Sequence, residues 1–353
     1  MILLKKALFT NLMEGGLPGL QSSLQMAIQL EHSTIPPYLY TLYSLGIDPN
    51  NAAVAGLIQS VVAEEMLHMT LACNVLNAVG GSPLIDDPSL LPSYPTGLPG
   101  GVENGLLVPL APYSTGLLKS VFMEIEDPQD PIDFPDPHGV SPLDNADGVT
   151  IGEFYNGIIQ MINELGPSIF TGDPALQVMP PFPEGTIVTD QASAISALEL
   201  IIDQGEGTTA MSPLSGGPNG ELAHYYKFAE IVAGYALVPD STVSAGYSYS
   251  GPAIVASGAI ANVPTNPQAA NYTAGTAERH AMDNFNYTYT SLLKGLHDLF
   301  NGRPDTFPRT LGAMMSLRQQ ALDMMAGTNL HAPIGPSFEY LPVNPSGGGV
   351  GGA

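Results

Sequence analysis

The chain has 353 residues, 44% of them apolar and only 12% charged, so it can bury a substantial core and does not have the composition of a disordered protein. With 33 acidic residues against 9 basic ones, its formal net charge of −24 excludes binding to nucleic-acid phosphates and docking on anionic lipid. The single cysteine, Cys73, excludes a disulfide framework and any thiolate-built metal site, which leaves oxygen and nitrogen as the ligands of any metal.

No apolar run reaches the ~18 residues that a membrane-spanning helix needs. The apolar stub around Lys5 and Lys6 does not read as a signal peptide. A cytoplasmic location is therefore expected. Secretion is the alternative, in which the acidic balance and the sequons at Asn271 and Asn286 would be at home.

Residues 17–45 place Leu20, Leu24, Ala27, Ile28, Ile35, Tyr38 and Leu42 along one helical stripe, and Glu31 sits inside it. Residues 51–79 repeat the pattern, with Val54, Ile58, Val61, Ala72 and Val75 sharing a face with Glu65 and His68. Between them, Gly46-Ile-Asp-Pro-Asn50 is a short breaker-rich turn, so the two helices form an antiparallel hairpin.

Residues 82–149 form a long Pro-rich insertion, interrupted by one short helix from about Ser114 to Glu126. Thr150 and Glu153 have the spacing of a capping box for a helix through Leu165. Helical patterns follow over 189–206, 220–237, 272–300 and 307–326, and the Gly-rich tail Gly347–Gly352 is expected to fray. The reading is a single all-α domain. Its core helices are 17–45, 51–79, 189–206 and 220–237, with 150–165 and the last two helices as accessories. Strands are expected only as short pieces of the insertion.

The chemistry lies in two Glu-x-x-His pairs, Glu65-Met-Leu-His68 and Glu221-Leu-Ala-His224, because residues three apart share a helix face. In a bundle, two such pairs plus one glutamate from each of two further helices make the ligand set of di-iron and di-manganese carboxylate proteins. Glu31 supplies one glutamate. Glu199, Asp203 and Glu206, on one stripe, compete for the other. Glu31 and Glu65 each stand 14 positions from their shared turn, ~21 Å at 1.5 Å per residue, and so meet at one level. The same argument favours Glu206, at the end of its helix, as the partner of Glu221 and His224. Glu64 is expected behind the site or in solvent. Pro36-Pro37 should kink the first helix, and His32, His138, His280, His297 and His331 have no comparable partners.

The strings Leu30-Glu-His-Ser-Thr-Ile-Pro-Pro-Tyr-Leu-Tyr40, Ala63-Glu-Glu-Met-Leu-His68, Asp203-Gln-Gly-Glu-Gly207 and His224-Tyr-Tyr-Lys-Phe228 resemble the ferritin-like proteins grouped with iminophenyl-pyruvate dimer synthase. The resemblance extends to the ending Gly335-Pro-Ser-Phe-Glu-Tyr340. It implies a ferritin-like four-helix bundle with additional helices, and it carries ligand roles onto Glu31, Glu65, His68, Glu206 and His224. Glu221 rests more on the Glu-x-x-His spacing than on the family pattern. Named members of the group work in tailoring pathways that couple tryptophan-derived imines, with the ferritin-like part joined to larger regions.

Carboxylates with two imidazoles suit two iron ions, with manganese as the alternative; no haem or nucleotide is expected. The leading expectation is a dioxygen-dependent oxidoreductase acting on a small amine or amino-acid-derived substrate, as a monomer or homo-oligomer. A metal-binding protein without turnover, or a ferroxidase of the iron-storage kind, is the competing reading. No catalytic side chain beyond the ligands is singled out.

Overall fold

A computed structural model describes residues 6–100, 105–128, 132, 150–179, 181–206, 212–215 and 220–341. The glycine-rich tail and much of the insertion, including residues 133–149, lie outside them. A short helix α1, Lys6–Glu14, which the apolar stub did not announce, precedes the long α2, Gly16–Ser44, and α3, Ala52–Ala78. The α2–α3 turn is held by side chains. Asp48 accepts from the backbone N–H of Asn50 at 2.9 Å, and the buried Asn51 amide donates to the Leu45 carbonyl at 2.8 Å.

Helix α2 runs without a break through Pro36 and Pro37. Proline has no N–H, so the carbonyls of His32 and Ser33 lose their ordinary helical donors. At Ser33 the replacement comes from the insertion, where the buried Tyr94 hydroxyl donates to the Ser33 carbonyl at 2.8 Å. The short helix of the insertion is α4, Thr115–Leu117, a π-helical turn at Leu118–Phe122, and α5, Met123–Ile125. Ser114 caps its start, accepting from the Leu117 N–H at 3.1 Å.

Helix α6, Ile151–Leu165, opens on the expected capping box, with Thr150 and Glu153 bonded reciprocally. Helix α7, Gln191–Glu206, follows. Helix α8 is shorter than expected, running only from His224 to Ala233. Glu221 and Leu222 precede it in extended backbone, where Leu222 bridges to Leu214, and Gly234 ends it in the left-handed conformation at φ 80°. The chain then forms an antiparallel hairpin of β1, Tyr235–Pro239, and β2, Tyr247–Ala253. These strands replace the expected end of the fourth core helix. Helices α9, Ala277–Phe300, and α10, Phe307–Ala326, are the last helices among the described residues, which run on to Leu341.

The bundle is a ring in which α2 packs on α3, α3 on α7, α7 on α6 and α6 on α2. Helix 150–165, expected as an accessory, is thus a member of the ring. The shorter α8 packs against α3 and α7 together with the α4–α5 segment. The reason is length and burial: α6 is an amphipathic helix of 15 residues with Phe154, Tyr155, Ile158 and Ile162 inside, whereas α8 has only 10 residues. Helices α9 and α10 pair with each other, and α10 leans on α2 from outside the ring. No helix among the described residues is long and apolar enough to cross a membrane.

Candidate metal centre

Inside the ring, Glu31 of α2, Glu65 and His68 of α3, Glu126 at the end of α5, and His224 at the start of α8 face one cavity of about 50 Å³. Glu65, His68 and His224 offer ligand atoms that all lie within 4.8 Å of one another. The Nδ1 atom of His68 is 3.5 Å from Glu31 Oε2, and that of His224 is 3.0 Å from Glu65 Oε1 and 3.3 Å from Glu126 Oε2. The two imidazoles stack at 5.3 Å between centroids.

Each imidazole is also gripped from behind. His68 Nε2 donates to Gln204 Oε1 at 2.8 Å, and His224 Nε2 donates to Glu64 Oε2 at 2.8 Å. A far-side acceptor fixes which ring nitrogen carries the proton and turns the other, Nδ1, toward the cavity. Lys227, one turn along α8, lies 2.7 Å from Glu64 and 3.4 Å from Glu221. The carboxylates are gripped as well: Tyr155 donates to Glu31, Thr34 to Glu65 at 2.8 Å, and Tyr38 to Glu126 at 2.5 Å. Tyr38 is itself wedged edge-on against Phe122 at 4.5 Å and Phe228 at 5.3 Å.

The electrostatics are those of crowded acids facing bases. Burial and the charges of Glu126 and Glu31 push the Glu65 carboxyl up to about 7. Burial also opposes ionisation of Glu31 and Glu64, but in both the adjacent histidine outweighs it: His68 lowers Glu31, and His224 with Lys227 brings Glu64 down to about 2. The same pairings raise His68, and raise His224 well above the usual histidine range, against a burial cost in each case. Buried oxygen and imidazole donors that repel or protonate one another when alone fit a bound cation, which would take over the compensating role of those protons.

Glu31, Glu65, His68 and His224 are therefore brought together, as their positions on the helices suggested. Glu221 is not. Its side chain is 49% exposed and turned to Lys227, because α8 begins only after Ala223 and the three-residue spacing has no helix to act on. Glu206 is the last residue of α7, and its side chain lies outside the described residues. The end of α7 does reach the level of the site through Gln204 and Gly205, whereas Glu199 is exposed on the solvent side. Glu126 was missed. It stands four and eight residues after Phe122 and Leu118, whose burial only the structure shows, and the π-helical turn over Leu118–Phe122 breaks the regular period.

The Ferritin-like family model matches residues 24–233. The dichlorochromopyrrolate synthase of Lentzea aerocolonigenes is 27% identical over 339 residues, covering 88% of this chain but only 30% of that protein, so the chain spans under a third of its relative. A ferritin-like protein from Caulobacter vibrioides has a similar structure, with a TM-score of 0.60 at 23% identity over 92% of this chain and 98% of the other. The match of the family model across most of the chain, on a four-helix ring enclosing these carboxylates and imidazoles, makes the protein a member of the Ferritin-like family.

Proposed function

We propose that the protein is a di-metal carboxylate oxidoreductase that uses dioxygen to oxidise a small amine or amino-acid-derived substrate. The observation that carries this reading is the convergence of three carboxylates and two imidazole Nδ1 atoms on one buried cavity. Glu31 and His68 would hold one ion, Glu126 and His224 the other, and Glu65, which lies between the two histidines, would serve both. Iron is the metal favoured by this ligand chemistry, with manganese as its alternative. When bound, two such ions would relay the two electrons lost by the substrate to dioxygen, whose matching two-electron reduction product is hydrogen peroxide.

The chain's own residues account for the rest. Glu64 and Gln204 aim the imidazoles, and Tyr38, Thr34 and Tyr155 each orient one carboxylate, so the site is organised before anything binds. Leu30, Leu98, Ile125, Ile151 and Ile201 form an apolar wall that keeps bulk water from the cavity. A space of about 50 Å³ admits only the reacting end of a substrate. The similarity to a dichlorochromopyrrolate synthase supports a biosynthetic role over a storage role.

Dioxygen uptake by the iron-loaded protein, followed with an oxygen electrode across a panel of amino acids and their imines, tests the reading. Sustained uptake that depends on one of them is expected. A single stoichiometric burst, unchanged by every substrate, would overturn it in favour of a storage or binding role.

A further inference from the structure

Helices α2 and α3 have a second wall. Consecutive residues of a helix point about 100° apart, and the neighbours of the metal-site residues face away from the ring: His32 follows Glu31, Met66 follows Glu65, and Met69 follows His68. All three line a separate cavity of about 320 Å³ between the α2–α3 pair and the α9–α10 pair. That volume falls within the ~300–1,000 Å³ range of small-molecule sites. Leu293 and Phe300 of α9 and Met314 of α10 close its other side.

Its chemistry is one-sided. Methionines contribute on both walls, and their unbranched thioethers adapt to the shape of an apolar guest. The polar groups are few and uncharged: Tyr43, Gln59 and Thr70 on the inner wall, and a pair across the walls in which the Tyr289 hydroxyl of α9 lies 3.0 Å from Nε2 of the buried His32. Among the described residues that line the cavity there is no acid, although the chain has 33. The one permanent charge is Arg318, which stands at the exposed mouth beside Met315 and Leu311, 62% and 47% exposed. Arg279 and Arg303 are paired with aspartates, whereas Arg309 and Arg318 have no carboxylate partner among the described residues, and of these two only Arg318 lines the cavity.

We propose that this cavity binds an amphipathic monocarboxylic acid, its apolar body between the methionine-bearing walls and its carboxylate on Arg318. A cationic amphiphile would find no counter-charge there, and a neutral one would leave the guanidinium unused. The chain's net charge of −24 does not defeat the pairing, since fields from charges beyond ~8 Å are largely screened at physiological salt while the contact pair is not. The site is separated from the metal cavity by the backbones of α2 and α3, so it stands whatever the metal centre does.

Calorimetric titration of the purified protein with decanoate, decanol and decylamine tests this. One saturable decanoate site per chain is expected, with decanol weaker and decylamine not binding. Arg318→Gln should weaken decanoate at least tenfold and leave decanol unchanged, and Met315→Asp should do the same by placing an acid at the mouth. Both positions are exposed, so neither variant threatens the fold. Leu296→Trp, filling the cavity from α9, should abolish binding of both ligands. The proposal is overturned if decanoate fails to saturate, if decylamine or decanol binds as tightly, or if Arg318→Gln and Met315→Asp leave decanoate affinity unchanged.

Discussion

The Nε2 atom of His224 lies 2.8 Å from Oε2 of Glu64, on the side of the ring away from Glu65 and Glu126. Adjacent residues of α3 thus work on one imidazole from opposite edges, Glu65 in the cavity and Glu64 behind it. Removing Glu64 frees the ring to rotate. The expected result for Glu64→Ala combined with Lys227→Met, which avoids stranding a buried ammonium, is a ~10–100-fold loss of affinity for one metal ion and little change for the other. Competition titration against a chelator reads both affinities, and an equal loss at both would contradict the assignment of Glu64 to His224 alone.

Glu126 and Glu221 can be told apart by metal content. Glu126→Ala is expected to retain one of two ions after anaerobic iron loading, while Glu221→Ala and Glu199→Ala retain both. If Glu221→Ala loses as much metal as Glu126→Ala, the exposed position of Glu221 beside Lys227 misrepresents its role.

His32 gives a pH dependence free of the metal site. Its folded-state value, about 4, lies below the ordinary 6.5, so between those limits the unfolded chain binds the proton that the folded chain refuses. Stability contributed by neutral His32 is complete above pH 6.5 and declines as pH falls toward 4, by at most ~3 kcal/mol. Urea midpoints measured from pH 7 to 4 should fall less steeply for His32→Gln than for the native protein. Parallel curves would show that His32 does not resist protonation.

Tyr94 ties the insertion to α2 through the carbonyl that Pro37 leaves unpaired. Tyr94→Phe should cost about 1–3 kcal/mol by leaving that buried oxygen unsatisfied. The same change made in a Pro37→Ala background, where α2 regains its own N–H, should cost less. Chemical denaturation of the four variants completes the cycle, and equal costs in the two backgrounds would show that the hydrogen bond carries none of the effect.

The α2–α3 half of the site was legible because two long periodic helices share a short turn, and counting 14 residues from each end of it puts Glu31 and Glu65 at one level. The other half was harder. Glu221 and His224 have the right spacing, but spacing carries geometry only inside a helix, and α8 begins at His224, three residues after Glu221. Glu126 stands in a Pro-rich stretch on a short helix with a π turn, where regular periodicity fails. Gln204 has no charge to mark it, and its role appears only when α7 is laid beside α3. The hairpin left a trace in the alternation Tyr247-Ser-Tyr-Ser250, whose period of two belongs to a strand.

The pairing of Glu31 with His68, and of Glu64 with His224 and Lys227, has a consequence for the order of events in the protein's life. A metal-dependent fold such as a zinc finger cannot form until its ion arrives, because nothing else offsets its ligands. Here the acids already have partners within the chain, Glu31 on His68 and Glu64 on His224 and Lys227, so the bundle is expected to close without its ions. Synthesis and filling become separate steps. On that expectation the chain could be made and kept through a metal shortage and filled later, its enclosure finished before any ion came.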